Sequence, residues 1–288
     1  MHVSTPEIVA FHRKLTSYYY ESGRHDMLWR KPDRSGKFEP YKIMVSEIML
    51  QQTQVDRVTP KYEEFLAAFP AVRDLAGVSL GDVLKVWNGL GYNRRAKYIW
   101  QAAGVINQGF KDLFPETLEE LQRLPGVGPN TAGAIIAYAY NEPVVFIETN
   151  VRTVMLHHFF KDRKNVSDAS IRKVMELVIP KSADKDALKL QGAILGPREF
   201  YWAMMDYGSH LKKTLGNLNR ASKHYARQPT FKGSARQIRG EVIRLLADRE
   251  MTEDELQKHI PDERLTEILA ALQKEDLITK TRKKVRLS

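Results

Sequence analysis

"LQRLPGVGPNTAGAI", residues 121–135, is the stretch whose reading decides the fold. A short helical run, "TLEELQRL", ends at Leu124, and a tight turn follows through Pro125, Gly126, Val127 and Gly128. The chain resumes at Pro129, and "NTAGAIIAYAY" is nearly all small and apolar, which predicts a central buried helix. Two glycines let the turn adopt positive φ and let a ligand approach the backbone closely. The second helix opens with unpaired amides and the positive end of its dipole, a natural place for phosphate. Pro125, Gly126, Val127, Gly128 and Thr131 are therefore candidate phosphate-binding residues. A grip of this kind holds a nucleic-acid backbone without reading its sequence. For a bare GxG the competing reading is a plain glycine turn between packed helices.

On either side of this hairpin the periodicity is helical. "TPEIVAFHRKLTSYYYES" opens with a Thr cap and a Pro at the first helical position. "YKIMVSEIMLQQTQVDRVTPKYEEFLAAF" has apolar residues three and four apart, and Pro60 is expected to divide it into two helices. "SLGDVLKVWNGLG" starts at a Ser cap and stops at glycine, and "NRRAKYIWQAAGVINQGF" follows as an amphipathic helix. Further helices are predicted at "NVRTVMLHHFF", "ASIRKVMELVI" and "GPREFYWAMMDYGSHLKKTL". The fold class is thus all-α, in a first domain spanning 1–220. Residues 221–235 are basic, with Pro229 and Gly233, and suit a linker. Residues 236–288 read as three short helices and strand-like residues, a winged-helix-like module whose third helix and basic tail would supply charge to DNA.

Composition narrows the partner. The chain has 288 residues, 45 Lys+Arg against 35 Asp+Glu and a net charge of +10, which points to a polyanion. From His210 onward there are 18 Lys+Arg against 11 Asp+Glu, so that stretch holds most of the excess. There is no cysteine, which excludes disulfides, thiolate zinc sites and cysteine-ligated iron–sulfur clusters. No apolar run reaches membrane-spanning length and the N-terminus lacks a signal-peptide core. A soluble monomer is expected, cytoplasmic and nucleoid-associated if bacterial, with no cofactor, no metal and no membrane partner.

The full LPGVGxxTA pattern is the signature of a helix-hairpin-helix element. With the acid-bearing segment "VVFIETNVR" at 144–152, it resembles the HhH-GPD superfamily of DNA glycosylases. "VSEIMLQQTQVDRVTPKYEEFLAAFP" (45–70), "LWRKP" (28–32), "WNGLGYNRRAKYI" (87–99) and "WAMMDYGS" (202–209) are similar to its MutY-type adenine glycosylase branch. The resemblance runs roughly over residues 8 to 210. It implies an HhH-GPD fold with two helical lobes and two working carboxylates.

Glu47 matches the acid that protonates the departing adenine. Glu148 falls where the superfamily has an aspartate that stabilises the cationic sugar or its adduct. The chemistry supports that division: adenine leaves poorly until a ring nitrogen is protonated, whereas the sugar gains positive charge and calls for an ionised carboxylate. Competing readings are an exposed helical Glu47 and a capping Glu148, although Glu is a poor N-cap. Asn150, Trp29 and Arg30 match nucleotide-positioning residues; Asn150 would also serve as a cap and Trp29 as core. Gln51 and Gln52 match the pair that wedges the duplex as the base flips, and exposed helical glutamine is the alternative.

The departures matter as much. Bifunctional relatives carry lysine at position 130 for a Schiff base, and Asn130 lacks that amine, which implies a monofunctional enzyme. The family's four-cysteine loop is replaced by "HLKKTLGNLNRASKHYARQ", where Lys212, Lys213, Arg220, Lys223 and Arg227 are candidate backbone contacts. The final residues are too helical for the Nudix-like domain that reads 8-oxoguanine in the family, and no counterpart of it is expected among them. The expected function is excision of mispaired adenine, opposite 8-oxoguanine or guanine, from double-stranded DNA, leaving an abasic site. The alternatives are a mismatch uracil or thymine glycosylase, a catalytically silent lesion-binding protein and, more distantly, a transcription regulator.

Overall fold

The computed structural model describes residues 3–110, 113–182, 194–226, 230–282 and 284–288. Helices α1 (Thr5–Ser22), α2 (Pro40–Leu50), α3 (Val55–Ala68), α4 (Val72–Ala76), α5 (Leu80–Trp87), α6 (Arg94–Gly109) and α7 (Leu118–Gln122) precede the hairpin turn. After it come α8 (Pro129–Ile135), α9 (Thr149–Phe159), α10 (Asp168–Val178) and α11 (Pro197–Leu215). Then follow α12 (Ala235–Asp248), α13 (Glu253–His259), α14 (Leu265–Lys274), β1 (Ile278–Lys280) and β2 (Val285–Leu287). The two strands pair antiparallel, with Ile278 opposite Leu287. The all-α class is thus as the periodicity predicts, and three helices followed by a hairpin give the winged-helix-like order. Among the described residues no helix is long and apolar enough to cross a membrane.

Three local details differ from expectation, each for a physical reason. The cap of α1 is Ser4, one residue earlier than Thr5, because Glu7 reaches back to the Ser4 amide at 2.8 Å. The division between α2 and α3 falls at Gln51–Gln54, where Gln52 has a φ of 57°, and Pro60 lies inside α3. Gly126 alone of the two hairpin glycines has positive φ, at 79°, whereas Gly128 is extended (φ −85°, ψ 178°) and caps α8.

The chain forms two compact units: Met1–Ile43, Glu116–Glu119 and Gly128–Arg227 make up one, and Met44–Pro115, Glu120–Val127 and Gln228–Ser288 the other. Helices α2 and α7 straddle the division. In the first unit, α11 packs against α1 and α9, and α10 packs against α9. Its core includes Phe11, Leu15, Phe146, Met155, Phe200 and Tyr201. Within it lies a buried ion pair: Arg30 donates to Asp206 from Nη1 at 2.8 Å and from Nη2 at 2.9 Å. Arg24 adds its Nε at 2.7 Å and its amide at 2.8 Å. Burial opposes ionisation of Asp206, yet the bonds from Arg30 and Arg24 outweigh it and hold the carboxyl below the ordinary carboxylate range.

In the second unit, α6 packs on α4 and α5, and Trp87 lies edge-on to Phe65 in the core. The C-terminal helices belong to this unit, with α12 against α5 and α14 and with β2 against α5. Charge staples fix them to α6. Glu275 receives Arg94 at 3.0 Å and Arg239 at 2.5 Å, and Lys97 reaches Asp276 at 2.9 Å. Residues 236–288 are therefore not set apart as a body of their own. Nor is the third helix basic: α14 carries Glu267 and Lys274 and is followed by the acids that hold α6. In the tail, Lys280 pairs with Glu253 at 2.6 Å and Lys284 pairs with Glu250.

Removing the Asp206 carboxylate strands Arg30 in the core, so Asp206→Ala is expected to cost about 3–5 kcal/mol in urea denaturation. Because the Asp206 pKa is lowered on folding, its contribution is complete above the unfolded value near 4 and disappears as pH falls through the folded value. The stability gap between wild type and Asp206→Asn should therefore be flat above about pH 5 and narrow below about pH 4.

Candidate active site

Glu148 ends an extended segment, 144–148, that lies in no described strand and must satisfy its backbone by other means. Side chains do so. The Tyr201 hydroxyl donates to the Val144 carbonyl at 2.7 Å and accepts from the Phe146 amide at 3.2 Å. Arg172 donates to the Val145 carbonyl at 3.0 Å. Asn130 receives the Ile147 amide at 3.2 Å and donates to the Ile147 carbonyl at 3.1 Å. Phe146 and Ile147 are buried, and the Phe146 ring stacks on Tyr201 with centroids 4.0 Å apart.

Two glycines allow this packing. A Cβ on Gly133 would lie 2.8 Å from the Phe146 side chain, and one on Gly208 would lie 2.5 Å from the Asn150 carbonyl. Gly208, in "WAMMDYGS", thus lets α11 pass close to the first turn of α9. Glu148 holds the N-cap position of α9, with φ −92° and ψ 173°, but makes no capping bond. Its carboxyl is half-buried, and burial raises its pKa from 4.5 to about 6. Asn150, in the first turn of α9, turns its amide towards Met205 Sδ at 3.8 Å.

Glu47, Gln51 and Gln52 belong to the other unit, on and just after α2. Glu47 is half-buried, between Val45 and Ser46 on one side and Ile48 and Met49 on the other, all buried. Arg95, buried on α6, organises the end of this helix. Its guanidinium donates to the carbonyls of Ile48 at 2.9 Å, Met49 at 2.7 Å and Gln51 at 2.6 Å. It also reaches Thr53 Oγ1 at 3.0 Å and the Gly91 carbonyl at 3.1 Å. These bonds cap α2 and hold the turn in which Gln52 is exposed with a left-handed backbone.

Several candidates have evident structural duties. Arg30 is occupied by Asp206 and sits 5.4 Å from the Trp202 ring, and Trp29 is buried. In the hairpin, Gly126 needs its missing side chain because a Cβ there would lie 2.6 Å from that of Tyr98. Val127 and Thr131 are buried and Pro125 is half-buried. Gly128 differs: its φ is ordinary and a Cβ there meets nothing within 4 Å.

Lys212 and Lys213 are exposed in the last turn of α11, and Arg220 and Lys223 are exposed beyond it; Arg227 lies outside the described residues. This segment is anchored by Asn219, which bonds to Thr153 Oγ1 at 2.7 Å and to the Thr149 carbonyl at 3.3 Å. Val166 and Lys223 complete the anchor through backbone bonds at 2.9 Å. Arg95, Arg172, Tyr201 and Asn219 are structural supports that the sequence motifs do not single out, and Asn130, which the sequence marks only as a missing lysine, is another. Each serves backbone or side-chain groups distant in sequence, which no local pattern encodes.

Residues 45–180 match the family described as HhH-GPD superfamily base excision DNA repair protein. Among curated proteins, adenine DNA glycosylase of Buchnera aphidicola subsp. Baizongia pistaciae is 34% identical over 167 residues, 58% of this chain and 45% of that protein. The Mycobacterium tuberculosis adenine DNA glycosylase is 40% identical over 137 residues, 48% of this chain and 44% of that one. The chain thus spans less than half the length of these relatives. Among solved structures, a thermostable thymine-DNA glycosylase aligns with TM-score 0.58 at 20% identity, covering 71% of this chain and 87% of its own. The H. pylori 3-methyladenine DNA glycosylase aligns with TM-score 0.54 at 17% identity, covering 74% and 99%. At such identities the likeness is one of fold. Residues 45–180, just under half of this chain, thus match the HhH-GPD superfamily.

Proposed function

We propose that the protein is a monofunctional DNA glycosylase that removes mispaired adenine, opposite 8-oxoguanine or guanine, and leaves an abasic site. The observation that carries this reading is Glu148: a carboxyl with a pKa near 6, at the end of a segment whose backbone is clamped by the side chains of Tyr201, Arg172 and Asn130. At neutral pH it is mostly ionised and only partly solvated, which suits it to stabilise a developing oxocarbenium sugar. Identities of 34% and 40% to proteins named adenine DNA glycosylase support adenine as the base.

In this reading Glu47 delivers the proton that makes adenine a leaving group, and Gln51 and Gln52 enter the duplex on the turn set by Arg95. Gly128, which neither φ nor packing requires to be glycine, leaves the backbone open to phosphate, with Pro125, Gly126, Val127 and Thr131 shaping the turn. Asn150 steadies the nucleotide, and Trp29 and Arg30 support the site from the core. Lys212, Lys213, Arg220, Lys223 and Arg227 are the cations offered to the DNA backbone. Strand cleavage is not part of the activity, because Asn130 has no amine to attack the sugar. No iron–sulfur cluster takes part, since the chain offers no thiolate and Asn219 anchors the corresponding segment. The enzyme acts as a cytoplasmic monomer on double-stranded DNA, and its C-terminal helices brace the second unit and add duplex affinity.

Purified protein incubated with duplexes carrying A:8-oxoG, A:G, U:G, T:G and hypoxanthine pairs should yield breaks at adenine, and only after alkali. Breaks at U:G or T:G alone would replace adenine with a pyrimidine; tight binding without breaks would mean a silent binder. Glu47→Gln and Glu148→Gln should each lower single-turnover excision by at least about 100-fold while retaining DNA binding. The wild-type rate should rise with pH through about 6 as Glu148 ionises.

The same shift has a stability cost of opposite sign to that of Asp206. A carboxyl with a raised folded pKa loses stability as pH rises from its unfolded to its folded value. The stability of Glu148→Gln relative to wild type should therefore grow by up to about 2 kcal/mol between pH 4 and 7 in urea denaturation. Replacing both Lys212 and Lys213 by Gln should weaken binding and reduce the slope of log K against log salt by about 2, and an unchanged slope would remove them from the interface.

A further inference from the structure

We propose that Asn130 is the positioning residue for Glu148: its carboxamide, bonded to both backbone groups of Ile147, sets where the next residue's carboxylate stands. This rests on the glycosylase reading of Glu148, and it gives position 130 a role of its own beyond the missing lysine. The Ile147 amide reaches Oδ1 at 3.2 Å and Nδ2 reaches the Ile147 carbonyl at 3.1 Å. One donor and one acceptor facing one acceptor and one donor admit a single orientation of the amide. Ile147 is 3% exposed, and both of its backbone polar groups are taken up by Asn130.

The helix cap does not set the direction of the carboxylate. Glu148 stands at the N-cap of α9 without a capping bond, and its longer side chain has an additional torsion compared with aspartate. Three charged groups of α9, α10 and α11 are bonded to other partners: Arg152 with Asp168 at 2.8 Å, Arg172 with the Val145 carbonyl, and Asp206 with Arg30 and Arg24. The carboxylate therefore stands where the 147–148 backbone puts it, and Asn130 ties that backbone to the start of α8. Asn130 itself is exposed, so shortening it leaves no hole in the core.

The test compares Asn130→Ala and Asn130→Asp with wild type in the full chain. Single-turnover excision from an A:8-oxoG duplex by Asn130→Ala should fall by about 30- to 100-fold, with Kd for the same duplex within about threefold and Tm lowered by no more than about 4 °C. Asn130→Asp keeps the acceptor for the Ile147 amide and adds a negative charge. Carbon-13 NMR of the Glu148 carboxyl should show its titration midpoint moved upward in that variant and downward, towards 4.5, in Asn130→Ala. Excision by Asn130→Ala within about threefold of wild type, or a loss confined to DNA binding, would overturn the proposal. Should wild type excise no base from any duplex, the glycosylase reading fails on its own. The NMR arm then still decides, because an unchanged Glu148 midpoint in both variants overturns the positioning role.

Discussion

An extended segment without a neighbouring strand must still satisfy its backbone, and in this protein that requirement shapes the ground around Glu148. Four consecutive residues, Val144 to Ile147, exchange hydrogen bonds with the side chains of Tyr201, Arg172 and Asn130. These come from α11, α10 and α8, so three helices far apart in sequence converge on one short stretch. The glycines at 133 and 208 follow from it, because each removes a side chain that would collide with Phe146 or with the α9 start. A half-buried carboxyl with a raised pKa is the result, costly to ionise.

The second unit solves a comparable problem with one guanidinium. The last carbonyls of α2 have no helical partners, and Arg95 collects two of them, those of Ile48 and Met49, along with the Gln51 and Gly91 carbonyls and Thr53. The positive charge suits a helix C-terminus. It also leaves Gln52 exposed at a left-handed position, a conformation that glutamine adopts only when its surroundings hold it there. Both units thus place a candidate functional residue next to a turn or terminus whose polar groups are satisfied by side chains distant in sequence, three in the first unit and one in the second.

The C-terminal helices show how a pattern legible in sequence can change meaning once folded. Their order and the hairpin that follows are those of a winged-helix-like module. Yet Glu275 and Asp276, after α14, are committed to Arg94, Arg239 and Lys97, and part of the basic tail is paired with acids of the same unit. The net charge of that stretch is real, but its distribution depends on which charges meet in space. Counting residues along the chain cannot separate a free cation from a stapled one.

Much of the fold is readable because its signals are local. Helix periods, the Ser79 cap, the Pro-Gly turn and the small apolar face of α8 each depend on residues within a turn or two, and backbone sterics act at that range. The carboxylates Glu47 and Glu148 are also legible, since acids set into apolar runs are rare enough to stand out. What the tertiary structure alone decides is which groups hold them. Arg30 reads as a nucleotide contact until Asp206, 176 residues away, is seen against it, and Asn130 reads as the mere absence of a lysine until it meets Ile147. Such pairings are long-range, satisfied by geometry that emerges only when the helices pack, and no spacing rule along the chain contains them.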